Sequence, residues 1–287
     1  MELSSSWPLW VAGIVLFQFV VSRVQAPPAA HTDQRHSADA AASSIATFPL
    51  RSALHLQRKA QHSLTGLLFY AATFMLPIRV AIFLLFVSSA LFFAIHELRK
   101  THKEVDALYI ASFRGILRQD EAAKHVLPGA FYFLLGVGVT ATLYPIGVLR
   151  LAILHLSFGD PAASLFGILY GRHTSKSKKP QPKGGSRVNS RSWISKFTAD
   201  KSLAGFLGAF LVSSFVSFAA FYFMNSGFRS SGRSSVSLLA LCGKALYAGG
   251  AAAMGESINL GWDDNLTLPV LTGLLLQLGS FAFGFEY

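Results

Sequence analysis

Charged residues are scarce in this sequence. Asp, Glu, Lys and Arg make up only 14% of its 287 residues, well below the roughly 25% found in soluble domains. By contrast, 52% of the residues are hydrophobic, 25 are Phe, and the mean hydropathy is +0.44. So few charges cannot cover a water-facing surface around a core of this size. The composition therefore excludes an ordinary soluble domain and favours a protein that crosses a membrane several times.

Cysteine and the motifs of soluble nucleotide enzymes are also missing. Cys242 is the single cysteine, which excludes an intramolecular disulfide and a cysteine-based zinc site. The sequence has no G-x-x-x-x-G-K-[ST] phosphate loop, no H-R-D or D-F-G, no H-E-x-x-H zinc helix and no G-x-S-x-G nucleophile elbow. If the chain is an enzyme that uses a nucleotide, its site belongs to another class.

Acidic residues are the rarer charge, with 14 against 25 Lys and Arg, so the net charge is +11. The basic residues cluster in loops between apolar runs, without the interleaved aromatic and basic surface of a nucleic-acid module. We interpret them as the positive bias of cytoplasmic loops, with added attraction to anionic headgroups. The loops 97–127 and 171–201 are therefore predicted to be cytoplasmic, and no nucleic acid is expected as a partner.

The apolar runs predict an all-α polytopic membrane bundle with about 7–8 spans and a short half-inserted helix at 160–170. We expect a retained N-terminal anchor at 1–26, a flexible linker at 27–54 and a membrane-embedded domain at 55–287. A disordered basic loop is predicted at 173–197. Pro77, Pro145 and Pro161 are expected to separate helices. The apolar runs lie at 7–22, 62–77, 79–96, 128–143, 145–157, 160–170, 203–224, 236–255 and 266–284.

Polar motifs lie where several of these runs begin or end. A charge at membrane depth is costly, so each motif is a functional candidate. Counting spans from the basic loops places all of them on the cytoplasmic side. Asp160, Asp263 and Asp264 can supply carboxylates for a divalent cation, Mg2+ or Ca2+, that bridges nucleotide phosphates. Lys201 and Ser202 begin an apolar helix, where a point charge and free N–H groups can bind phosphate.

Two further motifs extend this candidate site. Glu256 ends a run of very small residues and is expected inside the bundle, where it can position an acceptor hydroxyl or act as its base. Arg58, Lys59 and His62 enter the second apolar run and can contact phosphate or a headgroup, with His62 titrating in a useful range. Glu121, in the first basic loop, is a further candidate.

Each motif also has a structural interpretation. Asp160 precedes Pro161 and suits the N-cap of a helix. Lys201 can anchor a helix at the headgroups, and Asp264 or Asn265 can cap the last helix. An anion transporter is an alternative of another class, because it too uses membrane-buried charges. It predicts inverted repeats and charges near the midplane, neither of which the sequence shows.

The motifs, taken in order, resemble those of the CTP-dependent lipid kinases: dolichol kinase, phytol kinase and the fungal-type CTP-dependent diacylglycerol kinase. The resemblance covers about residues 55–284, and the closing motif looks most like the diacylglycerol kinase branch. The basic insertion between Arg172 and Lys201 is longer than expected. The K-R-x-x-x-K-D and H-G-G followed by D-R-x-D signatures of phosphatidate cytidylyltransferases are absent. The matching motifs are Arg58-Lys59-x-x-His62, Gly159-Asp160-Pro161-Ala162-Ala163-Ser164 with Gly167 and Tyr170-Gly171-Arg172, Lys201-Ser202-Leu203-Ala204-Gly205, and Glu256 with Asp263-Asp264-Asn265-Leu266-Thr267-Leu268-Pro269.

The resemblance implies CTP-dependent phosphorylation of diacylglycerol to phosphatidate, a step of phospholipid biosynthesis. It also implies a divalent cation and an endoplasmic reticulum or nuclear envelope membrane, with the active site on the cytoplasmic face. Dolichol or another polyprenol is the alternative acceptor. Diacylglycerol, membrane lipid and CTP are the expected partners, while the oligomeric state is not predicted. We expect the catalytic residues to be Asp160, Lys201 and Glu256, the nucleotide-binding residues Arg58, Lys59, His62, Lys201 and Ser202, and the metal ligands Asp160, Asp263 and Asp264.

Overall fold

Helices form all the regular structure in the part of the chain that the computed structural model describes, which comprises residues 13, 50–113, 117–124, 126–175, 201–230 and 237–283. All of the predicted anchor at 1–26 except residue 13, most of the linker and nearly all of the basic loop at 173–197 lie outside these ranges. The helices are α1 (Leu50–Met75), α2 (Ile78–Thr101), α3 (Lys103–Phe113), α4 (Gln119–Ala122), α5 (Gly129–Leu143), α6 (Ile146–Leu154), α7 (Asp160–Ser175), α8 (Leu203–Ser230), α9 (Leu238–Ser257) and α10 (Asp264–Phe283).

Within the described ranges, five helices are long and apolar enough to cross a membrane. Gly129–Leu143 is a shorter apolar helix beside them. Apolar side chains cover the outside of these helices, as lipid contact requires; Phe83, Phe215 and Leu239 are among the most exposed. The all-α, polytopic membrane fold class is confirmed. The five helices span Ile78–Thr101, Ile146–Tyr170, Leu203–Met224, Leu238–Ser257 and Asp264–Ala282.

Helix α6 is the central element of the bundle. Leu149 and Ile153 pack with Phe133 of α5 and Leu268 of α10 in one apolar cluster. A second cluster joins other α6 side chains to α8, α9 and α10. Because α6 contributes to both clusters, the helices around it are held at fixed positions. Its residues from Gly147 to Leu154 are buried apart from the half-buried Arg150.

The structure does not break the chain at Pro161. Helix α6 passes through a π-helical turn, His155–Gly159, directly into α7. The run at 160–170, expected as a short half-inserted helix, is therefore the second half of one 25-residue apolar helix. The predictions of helix ends at Pro77 and Pro145 hold, since these residues precede α2 and α6.

Helix α1 supplies the hydrogen bonds that this junction lacks. Pro161 has no N–H, so the carbonyls that it would bond in a regular helix need other donors. His62 Nε2 lies 3.0 Å from the Leu156 carbonyl oxygen, and Ser63 Oγ donates to the Ser157 carbonyl at 2.6 Å. Gly66 allows this close approach, because a Cβ there would overlap the Ser157 side chain. The α1 side chains thus make an irregular backbone tolerable inside the bundle.

Replacing Ser63 with Ala tests this support. The variant leaves the part-buried Ser157 carbonyl without its donor, so we expect the free energy of unfolding to fall by about 1–2 kcal/mol. Thermal unfolding in detergent measures the loss. Thr101→Ala is the matched control: its hydroxyl donates to the Leu98 carbonyl at 3.2 Å, but in an exposed position, and the change expected is below about 0.5 kcal/mol. Equal shifts for the two variants would contradict the role of Ser63.

Candidate active site

A cavity of about 620 Å³ lies at the end of the bundle where α8 and α10 begin and α9 ends. Residues from five helices, from the loop that carries Arg118 and from the two residues before α8 line it. Basic and acidic side chains are both present, with small residues between them. The lining includes Arg58, Lys59, His62, Arg118, Asp160, Ala163, Ser164, Gly167, Lys201, Ser202, Gly205, Glu256, Asp264 and Asn265.

Three carboxylates meet in this cavity. One oxygen each from Asp160, Glu256 and Asp264 lies within 4.8 Å of the others. Asp160 is the first residue of α7, Asp264 is the first of α10, and Glu256 stands one residue before the end of α9. Side chains at helix ends converge here because the helices pack with these ends side by side.

Lys201 neutralises part of this acidic group. Its Nζ lies 2.7 Å from Glu256 Oε1 and 2.9 Å from Asp264 Oδ2. Burial by itself lowers the pKa of Lys201, but the two carboxylates outweigh it, so the pKa lies above that of a free lysine. The ammonium therefore stays charged. Glu256 Oε2, in contrast, is buried and has no hydrogen-bond partner among the described residues.

Asp263 lies apart from the acidic group, although the sequence pairs it with Asp264. Its Oδ2 is 3.2 Å from Arg118 Nη1, and its Oδ1 accepts a hydrogen bond from the Asn265 amide at 3.0 Å. Asp263 thus caps α10 and forms an ion pair with Arg118. Successive residues at a helix start point in different directions, so Asp263 and Asp264 face different partners.

The predicted phosphate-binding residues line the same cavity. Arg58 and Lys59 come from α1, and burial is the main cause that lowers the pKa of each. Ser202 Oγ accepts a hydrogen bond from the Gly205 amide at 3.0 Å and so caps the start of α8. Its own O–H proton stays available for donation. Gly205 is required here because a Cβ would lie 2.9 Å from the Ala163 carbonyl oxygen.

His62 has a different environment from the one expected. Its Nε2 is 3.0 Å from the Leu156 carbonyl oxygen and 3.9 Å from Asp160 Oδ2. Burial lowers the pKa of His62 more than the nearby Asp160 carboxylate raises it. The neutral ring donating to Leu156 is therefore favoured over a ring that titrates near neutral pH. His62 thus supports Leu156 within the π-helical turn, in addition to lining the cavity.

Arg118 is a charged residue of the cavity lining that the sequence reasoning did not name as a candidate. It lies in the loop between α3 and α4, and its side chain is 49% exposed. Glu121, named only as a further candidate, is almost fully buried beside it. The signal available was the Arg118-x-x-Glu121 spacing in a loop predicted on the same side of the membrane as the other motifs.

Comparison with known proteins agrees with the motifs. No protein-family model and no solved structure matches the chain. It is 28% identical over 173 residues to CTP-dependent diacylglycerol kinase 1 of Schizosaccharomyces pombe, covering 60% of this chain and 68% of that protein. The Saccharomyces cerevisiae protein of the same name is 25% identical over 231 residues, covering 77% and 72%. The Eremothecium gossypii protein of that name is 29% identical over 181 residues, which cover 60% of this chain and half of that protein.

The three similarities cover 60–77% of this chain at 25–29% identity. The predicted resemblance is therefore confirmed: the chain is similar to three fungal CTP-dependent diacylglycerol kinases.

Proposed function

We propose that the chain transfers the γ-phosphoryl group of CTP to the hydroxyl of diacylglycerol, giving phosphatidate and CDP. The observation that carries this proposal is the meeting of Lys201 with the carboxylates of Asp160, Glu256 and Asp264 in one cavity. The cavity lies at the end of an apolar bundle, so a lipid can approach along the helices and a nucleotide from water. The names of the three fungal relatives support the same reaction.

The acidic group suits a hard divalent cation such as Mg2+. Three carboxylates within 4.8 Å of one another are oxygen ligands of the kind that Mg2+ and Ca2+ prefer, and the buried Glu256 Oε2 has no partner in the described chain. Asp160, Glu256 and Asp264 are the residues that would hold it. When bound, the cation would neutralise charge on the phosphate oxygens. We therefore include Glu256 in this set and leave Asp263 with Arg118.

The residues of the chain supply the remaining chemistry. The acceptor oxygen bonds to the γ-phosphorus while the bond from that phosphorus to the β–γ bridging oxygen breaks, and CDP leaves. Lys201, with Arg58 and Lys59, compensates the charge on the phosphoryl oxygens. The hydroxyl proton passes to solvent water, because Glu256 Oε1 is bonded to Lys201 and its Oε2 is assigned to the cation. A loose transition state demands little of a base.

We also propose that the site faces the cytoplasm of an endoplasmic reticulum or nuclear envelope membrane. The basic loops at 97–127 and 171–201 flank the motifs in sequence. Positive residues in short loops favour the cytoplasmic side, where CTP is available. The choice of organelle follows from the resemblance.

Transfer of label from γ-labelled CTP tests the reaction. Purified protein in mixed micelles with Mg2+ is given diacylglycerol or dolichol, with ATP in parallel and Asp160→Ala as control. We expect labelled phosphatidate from CTP, and loss of the product in the variant by at least about 100-fold. Labelled dolichyl phosphate would instead assign a polyprenol acceptor. No labelled lipid from either nucleotide, with folded protein, would favour the anion transporter.

Substituting the neighbouring acids separately tests the cation ligands. Asp160→Asn and Asp264→Asn should raise the Mg2+ concentration for half-maximal activity by about tenfold or more, because each removes a charged ligand. Asp263→Asn is the matched control, one residue from Asp264, and should leave that concentration within about twofold. The measurement is a Mg2+ titration of CTP-dependent activity. If Asp263→Asn produced the largest shift, the ligand set would be Asp160, Asp263 and Asp264.

Replacing Lys201 with Met tests its two roles. We expect kcat to fall by at least about 100-fold and the free energy of unfolding without Mg2+ to fall by about 1–3 kcal/mol, because two carboxylates lose their partner. Adding Mg2+ should restore part of the lost stability but no activity. Lys100→Met, which breaks an exposed ion pair with Glu97 at 2.6 Å, should change neither by much. Normal turnover in Lys201→Met would remove Lys201 from the mechanism.

A further inference from the structure

The charged residues around the cavity fall into two groups. Asp160, Glu256 and Asp264 form the acidic group, with Lys201 as a basic partner. Arg58, Lys59 and Arg118 form the basic group, and the carboxylates of Glu121 and Asp263 pair with its two arginines. The basic group thus offers three cations to a phosphate in the cavity.

We propose that Arg118 binds a phosphate group in this cavity and that Glu121 positions Arg118 for it. The inference rests on the proposed function and adds a loop residue that none of the motifs contains. The ligand chemistry is a phosphate carried by a nucleotide or by a lipid headgroup. Arginine suits this role because its planar guanidinium can donate two parallel hydrogen bonds to phosphate oxygens.

Arg118 is placed to reach such a ligand. Its side chain is about half exposed, and it lines the cavity together with Arg58 and Lys59. Its described ionic contacts are Nη1 to Asp263 at 3.2 Å and Nε to Glu121 at 3.9 Å. A guanidinium has five N–H donors, so a phosphate can bind those that these two contacts do not use while Asp263 stays paired.

Two backbone hydrogen bonds hold the Glu121 carboxylate in place. Its Oε2 accepts a hydrogen bond from the Arg118 amide and its Oε1 one from the Gly129 amide, each at 2.9 Å. Its side chain is 4% exposed, and Arg58 Nη2 also lies 3.9 Å from Oε1. One buried carboxylate therefore faces both guanidinium groups and anchors the backbone that carries one of them.

The loop behind Glu121 is held from the other side. The fully buried Arg99 pairs with Asp106 at 2.9 Å and lies 4.0 Å over the Tyr109 ring. Its Nη groups reach the carbonyl oxygens of Glu121 and Ala122 at 3.4 Å. The backbone at Glu121 and Ala122 is therefore held by the protein itself, and a preorganised donor binds more tightly.

Arg58 lies close enough to Arg118 and Glu121 for their charges to affect its pKa. Burial first, and then the charge of Arg118, lower the pKa of Arg58, against the attraction of Glu121. The two guanidinium groups are therefore close enough to repel each other. A phosphate between or beside them would turn this repulsion into a shared attraction.

Binding by the purified full chain in neutral detergent tests the proposal. One arm titrates CTP with Mg2+, and the other titrates dioctanoyl phosphatidate without nucleotide. We expect Arg118→Gln to raise the Kd for CTP by about tenfold or more and Arg118→Lys to raise it less, because lysine keeps the charge but loses the fork. Arg79→Gln is the matched control, since Arg79 is exposed near the start of α2, away from the cavity, and should leave both Kd values within about twofold.

Glu121→Gln separates positioning from direct binding. It should raise the Kd for CTP in the wild-type background and by a smaller factor when Arg118 is already Gln, because its effect then has no arginine to act through. Equal factors in both backgrounds would overturn the positioning role. Normal melting temperatures show that the variants are folded, and Arg118→Lys provides the test should Arg118→Gln fail to fold.

The two arms identify the source of the phosphate. A loss for CTP assigns the nucleotide, and a loss confined to phosphatidate assigns the lipid product. If wild type binds CTP and Arg118→Gln matches it in both arms, Arg118 merely ties its loop to α10 through Asp263, and the inference is overturned. If wild type itself binds no CTP, the proposed function fails first and this inference fails with it.

Discussion

Three carboxylates can share one small volume at the end of an apolar bundle only if a positive charge stands among them. In this chain Lys201 provides it, with Nζ within 3 Å of both Glu256 and Asp264. Like charges that close would otherwise repel strongly in a poorly solvated cavity. Because Lys201 precedes α8 while its partners close α9 and open α10, the same ion pairs also tie three helices together. Site geometry and helix packing therefore depend on one interaction.

The site also requires a backbone that places Asp160 beside Lys201, Glu256 and Asp264. An uninterrupted α-helix through Pro161 would leave carbonyl groups without donors inside the bundle, which a membrane protein does not tolerate. The π-helical turn and the side chains of His62 and Ser63 solve this locally. The motif at the start of α1 thus has a structural task as well as the phosphate contact proposed for Arg58 and Lys59.

The sequence predicted much of this arrangement, because composition and span ends are local properties. The low content of charged residues was enough to predict a polytopic membrane protein. The position of the motifs at the ends of predicted spans was enough to predict that they share one site. The sequence did not predict that the helix continues through Pro161. The side chains that bond the Leu156 and Ser157 carbonyls lie 94 residues earlier in the chain. The different directions of Asp263 and Asp264 depend on where α10 begins, which a sequence fixes only to within a residue or two. Arg118 belongs to no apolar run or motif, and only folding brings its loop to the cavity.

The π-helical turn has one more consequence, which concerns phase. A π-turn carries an additional residue per turn, so the side chains after it are rotated relative to those before it. Up to Gly159 this helix is buried almost all round, whereas Leu165, Ile168 and Leu169 beyond it face outward. The first half thus lies in the interior of the bundle, where a change in the volume of nearly any side chain disturbs the packing of several neighbours. The second half lies at the periphery of the bundle. One of its faces lines the cavity, and the opposite face is exposed. A single membrane-spanning helix is in this way divided into a half that packing constrains on nearly every side and a half that is constrained mainly on the face that carries Asp160 and Ala163.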